Sequence, residues 1–151
     1  MIKNIFNKNV TQELIERINR LRQDTAPEWG KMDVGQMLAH CCVMYEFIYE
    51  NNHPKIGGFK RFLLKLFVKN AVVNQKPYKK NSPTAPEFLI KSNRDFQTEK
   101  QRLIAYLIRT QELGESHFDN KEYRSFGRMT SKEWNNMFYK HLDHHLNQFG
   151  V

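Results

Sequence analysis

The chain has no long apolar run. None of its 151 residues falls in a run of the ~18 apolar residues that a membrane span needs. The opening MIKNIFNKNV has no apolar core of signal-peptide length, so a cytoplasmic protein is expected. Cysteine is scarce as well. The two present are the neighbours Cys41 and Cys42, which point about 100° apart on a helix and make poor disulfide partners. That suits a reducing compartment and leaves them as small buried residues. Strand signals are few: alternating runs are rare, and no Asn-Gly or Asp-Gly pair marks a tight hairpin. The expectation is an all-α fold.

Acidic residues do not match the basic ones, and the net charge is +8. Such a balance draws attention to nucleic acid or an acidic surface. The charges are read as spread along the chain, and no nucleic-acid motif accompanies them. They are therefore taken to solvate outward helix faces, and nucleic acid is not an expected partner. Apolar residues make up 40% of the chain and aromatic ones 13%. That is ample for one domain over residues 1–151, long enough to bury about 70% of its unfolded surface.

The most informative stretch is Thr130 to Phe149, TSKEWNNMFYKHLDHHLNQF. Thr130 with Glu133 three residues on is a capping box, which satisfies two backbone N–H groups of a first helical turn. Trp134, Met137, Phe138, His141, His145 and Gln148 then recur at helical spacing on one inward face. His141 and His145 stack one above the other, about 5–6 Å apart at Cβ. An inward histidine is more often a hydrogen-bonded core residue than a ligand, and the pair by itself does not outweigh that reading. A third inward histidine changes the balance. Asp33, with Gln36 as its box partner, opens a helix whose inward face reads Met37, His40, Val43, Met44, Phe47 and Ile48.

The two histidine helices also begin alike. Trp29-Gly30-Lys31-Met32-Asp33 parallels Phe126-Gly127-Arg128-Met129-Thr130. The other elements follow from the same signals. Thr11 is expected to cap a helix over 11–24, and the second should run over 33–50, stopping near Asn51-Asn52-His53-Pro54. A short basic amphipathic helix is expected over 58–69, with Phe59, Phe62, Leu63, Leu66 and Phe67 on its apolar side. Such a segment can lie on a membrane surface; the favoured reading packs its aromatic side on the helices behind it. Residues 70–86 read as a crossover loop. A helix over 92–113 should stop at Gly114, 115–129 should be a loop, and the last helix should run over 131–148. Four long helices with a long connection between the second and third predict a four-helix bundle.

The segment Gln36-Met37-Leu38-Ala39-His40, followed about a hundred residues later by His141-Leu142-Asp143-His144-His145, resembles the DinB-like (DNA-damage-inducible) superfamily of bundle metalloproteins. The Trp29–Met32 opening, the Phe126–Thr130 loop with Glu133-Trp134, and the ending from Tyr139 to Gly150 resemble one branch of it, a domain of unknown function. The resemblance covers nearly the whole chain. It implies His40, His141 and His145 as ligands of one divalent ion and excludes His144. Many members read His-Arg-Gly-Gln after the last ligand. Here Leu146-Asn147-Gln148 stands there, so roles of the Arg-Gly pair do not carry over.

The residues themselves point the same way. Three inward imidazoles each need a partner, and one divalent ion serves one nitrogen of all three. Three neutral ligands leave an open fourth position, as in catalytic zinc sites. Zinc is the default, with nickel, cobalt or iron compatible. The other ring nitrogens need carbonyl or carboxylate acceptors, with Gln148 at the rim and Asp143 facing away. By resemblance, the expected activity is transfer of a small cellular thiol to an electrophile, in a homodimeric protein. Two alternatives stand beside it: a hydrolase using metal-activated water, and a non-catalytic metal-binding or stress-response protein.

Overall fold

The computed structural model describes residues 1–50 and 52–151. Helix α1 spans Lys8–Arg20 and α2 Val34–Tyr49. Helix α3 (Gly58–Leu63) runs through a π-helical turn (Leu64–Val68) into α4 (Lys69–Val73). A 3₁₀ turn at Pro86–Phe88 precedes α5 (Phe96–Phe118). Strand β1 (Glu122–Tyr123) pairs antiparallel with β2 (Gly127–Arg128), and α6 (Ser131–Gln148) ends the chain. Among the described residues this ribbon is the only sheet, and the fold is all-α. No helix among them is long and apolar enough to cross a membrane.

Helix α2 packs along α5 and against α6, and α1 packs against α5 and α6. The faces that meet are apolar, and Met37, Trp134 and Phe138 are among the inward positions expected. Met37, Leu38, Leu103, Leu107, Trp134 and Phe138 are sealed from solvent. Both capping boxes form. Asp33 Oδ1 accepts from Gln36 N at 2.8 Å while Gln36 Oε1 accepts from Asp33 N at 3.1 Å. Thr130 Oγ1 accepts from Glu133 N at 3.3 Å and Glu133 Oε2 from Thr130 N at 2.9 Å. The glycines before both caps have positive φ, 86° at Gly30 and 75° at Gly127. The two histidine helices thus do share the shape of their approach as well as its wording.

Several boundaries differ from expectation. Helix α1 starts earlier and ends at Arg20, because Asn7 caps it by accepting from Asn9 N at 2.9 Å. Thr11 lies inside the helix, where its hydroxyl donates to Ile5 O at 2.6 Å. This fold-back buries Ile5 and Phe6. Helix α5 starts later, at Phe96, capped by Asp95, and its first stretch does end at Gly114, where the backbone is non-helical (φ 74°, ψ 170°). A further helical stretch runs on to Phe118, whose ring stacks on Phe6, lies tilted on Trp134 and meets Phe138 edge-on. That buried contact holds the second stretch in place. The expected loop over 115–129 is instead a last helical turn plus the ribbon. Helix α2 ends at Tyr49; of its expected stop signals, Asn51 lies outside the described residues.

The largest correction concerns the 58–69 helix. Its aromatic side does not pack inward: Phe59 is 77% exposed, Phe62 59%, Leu66 59% and Phe67 71%. The polar attachments decide this. Lys60, Arg61 and Lys69 pair with Glu87, Glu122 and Glu133 on the body. Behind the segment, the buried Lys140 of α6 donates to Ala71 O at 2.8 Å, Asn74 O at 2.9 Å and Asn74 Oδ1 at 3.1 Å. Burial pushes the Lys140 ammonium down to about 8, and its donors are used on the carbonyl end of α4. Asn136 adds a bond to Val73 O at 2.8 Å.

Candidate metal centre

His40 leaves the middle of α2, and His141 and His145 leave successive turns of α6. The structure brings all three together: one ring nitrogen of each lies within 4.8 Å of the others. The Nε2 atoms of His40 and His141 are 3.0 Å apart. Ligands about 2.0–2.1 Å from a shared tetrahedral ion stand about 3.3 Å apart, so this pair is close to the spacing of a common centre. His40 and His145 are buried; His141 keeps partial exposure.

Hydrogen bonds fix two of the rings. His40 Nδ1 faces the carbonyl of Phe88 at 2.9 Å. A carbonyl only accepts, so Nδ1 carries the proton and Nε2 offers its lone pair. His145 Nδ1 faces Gln148 Oε1 at 2.8 Å, and Gln148 Nε2 donates to Trp29 O at 2.6 Å. The second bond settles the amide orientation, so His145 also carries its proton on Nδ1. Both rings thus have the acceptors that metal-ligating histidines require. Gln148 plays the rim role expected of it.

Gly30 belongs to the same arrangement. A Cβ there would come within 2.5 Å of Gln148 Nε2, and its φ of 86° is one that side chains rarely adopt. The loop before α2 and the end of α6 are therefore built against each other through Gln148. A second bond, Glu28 N to Gln148 O at 2.8 Å, closes the joint.

Burial keeps the cluster uncharged. Desolvation lowers the pKa of all three imidazoles. His141 falls well below its usual value, with its two neighbours adding to the effect, and His145 falls to about 3. Neutral imidazole is the ligand form. His141 Nδ1 is sealed from water and has no hydrogen-bond partner among the described residues. The donor set, its protonation and the converging nitrogens fit one divalent cation.

The other sequence candidates lie elsewhere. His144 turns aside to the rings of Trp29 (5.9 Å) and Tyr78 (5.7 Å), and meets the cluster only through an edge-on contact with His145 at 5.2 Å. It lines a surface cavity of about 260 Å³ that none of the three clustered histidines touches. Asp143 faces away, bonded to Arg17 at 2.6 Å. Cys41 and Cys42 are buried, and burial pushes both thiols up, so neither is a ready nucleophile. The carbonyls of Phe88 and Trp29 were not foreseen. A backbone carbonyl carries no residue-type signal, and Phe88 lies in the stretch with the weakest periodicity. Its ring also packs on His40 and His141, with centroids 5.4 and 6.0 Å away.

Fold and site together define an all-α protein with a buried three-histidine cluster between two helices. The chain belongs to the family described as protein of unknown function DUF1569, whose model matches residues 6–150. No curated protein and no solved structure gives a significant match.

Proposed function

We propose that the protein is a metal-dependent enzyme in which His40, His141 and His145 hold one divalent ion, zinc by preference, and that it transfers a small thiol to an electrophile. In this reading the four long helices are a DinB-like four-helix bundle working in the cytoplasm. The observation that carries the proposal is the convergence of three neutral imidazole nitrogens within 4.8 Å. When bound, a divalent ion with three neutral ligands and an open position supplies a Lewis-acid site that favours the thiolate form of a thiol.

The chain's own residues do the rest. Phe88 O and Gln148 Oε1 hold the His40 and His145 rings in the tautomer that presents Nε2. Trp29 O holds Gln148 in turn. The Phe88 ring walls the cluster and limits water there. Thiol and electrophile would approach from the side of His141, which keeps partial exposure.

The test is a paired assay on protein with measured metal content. One divalent ion per chain is expected, with turnover of an epoxide or alkyl halide only when thiol is added. Metal-loaded protein that hydrolyses esters or amides without thiol, and shows no thiol addition, would move the function to metal-activated water. Absence of both activities would favour the binding-protein reading.

A further inference from the structure

The positive charge is not spread evenly, as its scatter through the sequence first suggests. Residues 51–86 hold eight Lys or Arg, from Lys55 to Lys80, and no Asp or Glu. The net charge of the whole chain is +8. The entire excess therefore sits in the crossover between α2 and α5, and the rest of the chain is balanced. The same crossover carries the outward stripe of Phe59, Phe62, Leu63, Leu66 and Phe67, all exposed and spaced three or four residues apart. Together they form one contiguous exposed apolar stripe of the kind that marks an interaction surface.

From this coincidence of an apolar stripe with the whole charge excess we infer that the α3–α4 face docks on an anionic lipid surface. The phenylalanines and Leu66 enter the boundary between headgroups and acyl chains, and the flanking lysines meet the lipid phosphates. Lys60, Arg61 and Lys69 are tied to Glu87, Glu122 and Glu133. Lys55, Lys65, Lys76 and Lys79 are exposed and form no ion pair among the described residues. Lys65, on the same helical segment as the stripe, thus stays available to the surface. The segment is already helical and anchored to α6 through Lys140 and Asn136, so docking does not carry the cost of folding it. A second copy of this chain fits less well. A two-fold contact would set one basic crossover against another.

The experiment is co-sedimentation of the full chain with phosphatidylcholine vesicles, with and without phosphatidylglycerol. Binding is expected only with the anionic lipid and should weaken as salt rises. Phe62→Ser and Phe67→Ser should each reduce it roughly tenfold, and Lys65→Glu roughly fivefold or more. Circular dichroism of the variants should match the parent, since these side chains are exposed. Absence of vesicle binding, or equal binding to pure phosphatidylcholine, would overturn the inference. So would a dimer in sedimentation velocity that Phe62→Ser dissociates while vesicles bind nothing, which would assign the face to a second copy.

Discussion

The α2 face that carries His40 and the α3 face that carries Phe62 read alike in the sequence, as apolar side chains three and four apart. In the structure they have opposite fates. Met37, a turn before His40, is fully buried, whereas Phe62 is 59% exposed. The histidines lie on the face that closes against other helices, and Phe88 O and Gln148 Oε1 place the protons of His40 and His145. The α3 stripe faces solvent because ion pairs and the Lys140 clamp hold its other side. Periodicity shows that a helix has an apolar face. What that face meets depends on which polar groups find partners behind it.

The contrast is broken most severely at the ligands. His40→Ala or His145→Ala should lower metal affinity more than about a hundredfold, exceeding the 10–100-fold typical of outer partners. Metal content after dialysis reads this directly, and turnover should vanish with it. A variant of either kind that keeps one ion per chain would show that the cluster is hydrogen-bonded core.

Stability sharpens the comparison next. Met37→Ala should cost about 2–5 kcal/mol, the transfer of a buried side chain plus the cavity it leaves. Phe62→Ser should stay within about 0.5 kcal/mol, as for an exposed site. Urea unfolding of the two variants measures the difference. Similar losses for both would mean that the α3 stripe is covered in solution.

Acid separates the two regions again. The folded chain holds its clustered histidines below the usual imidazole range, His145 at about 3, whereas unfolded histidine titrates near 6.5. Below pH 6.5 the unfolded state binds protons that the folded state refuses. Metal-free protein should therefore lose stability as pH falls from 6.5 toward 3. The slope approaches about 1.4 kcal/mol per pH unit for each such histidine. Replacing His145 with Gln should flatten that slope, whereas Lys65→Glu on the crossover should leave it unchanged.

Smaller effects are expected around the ligands. Gln148→Leu removes the acceptor of His145 Nδ1, and Gly30→Ala pushes the Gln148 amide from its place. Each should weaken metal binding about 10–100-fold with the helices intact. His144→Ala should change affinity least, because its ring lies beside Trp29 and Tyr78. Competition with a zinc chelator ranks all three. A His144 effect as large as that of Gln148 would redraw the centre.

Much of this was legible in residues 29–40 and 126–149. The two boxes, their glycine-bearing approaches and the inward spacing of His40, His141 and His145 are local properties, and local physics reproduces them. Helix α1 was misplaced because Asn7 and Thr11 both have the chemistry of a cap, and only the burial of Ile5 and Phe6 chooses between them. Gly114 reads as a stop and does break the helix, while the burial of Phe118 sets the further stretch beyond it.

By itself the sequence determined the helical class, the two capped histidine helices, and which three imidazoles turn inward, since backbone periodicity and capping act within a few residues. Only the tertiary structure decided that those rings meet, that Phe88 O and Gln148 set their tautomers, and that the crossover turns its phenylalanines outward. Those outcomes rest on contacts between residues up to about a hundred positions apart. A backbone carbonyl or an ion pair at that range leaves no periodic trace in the chain.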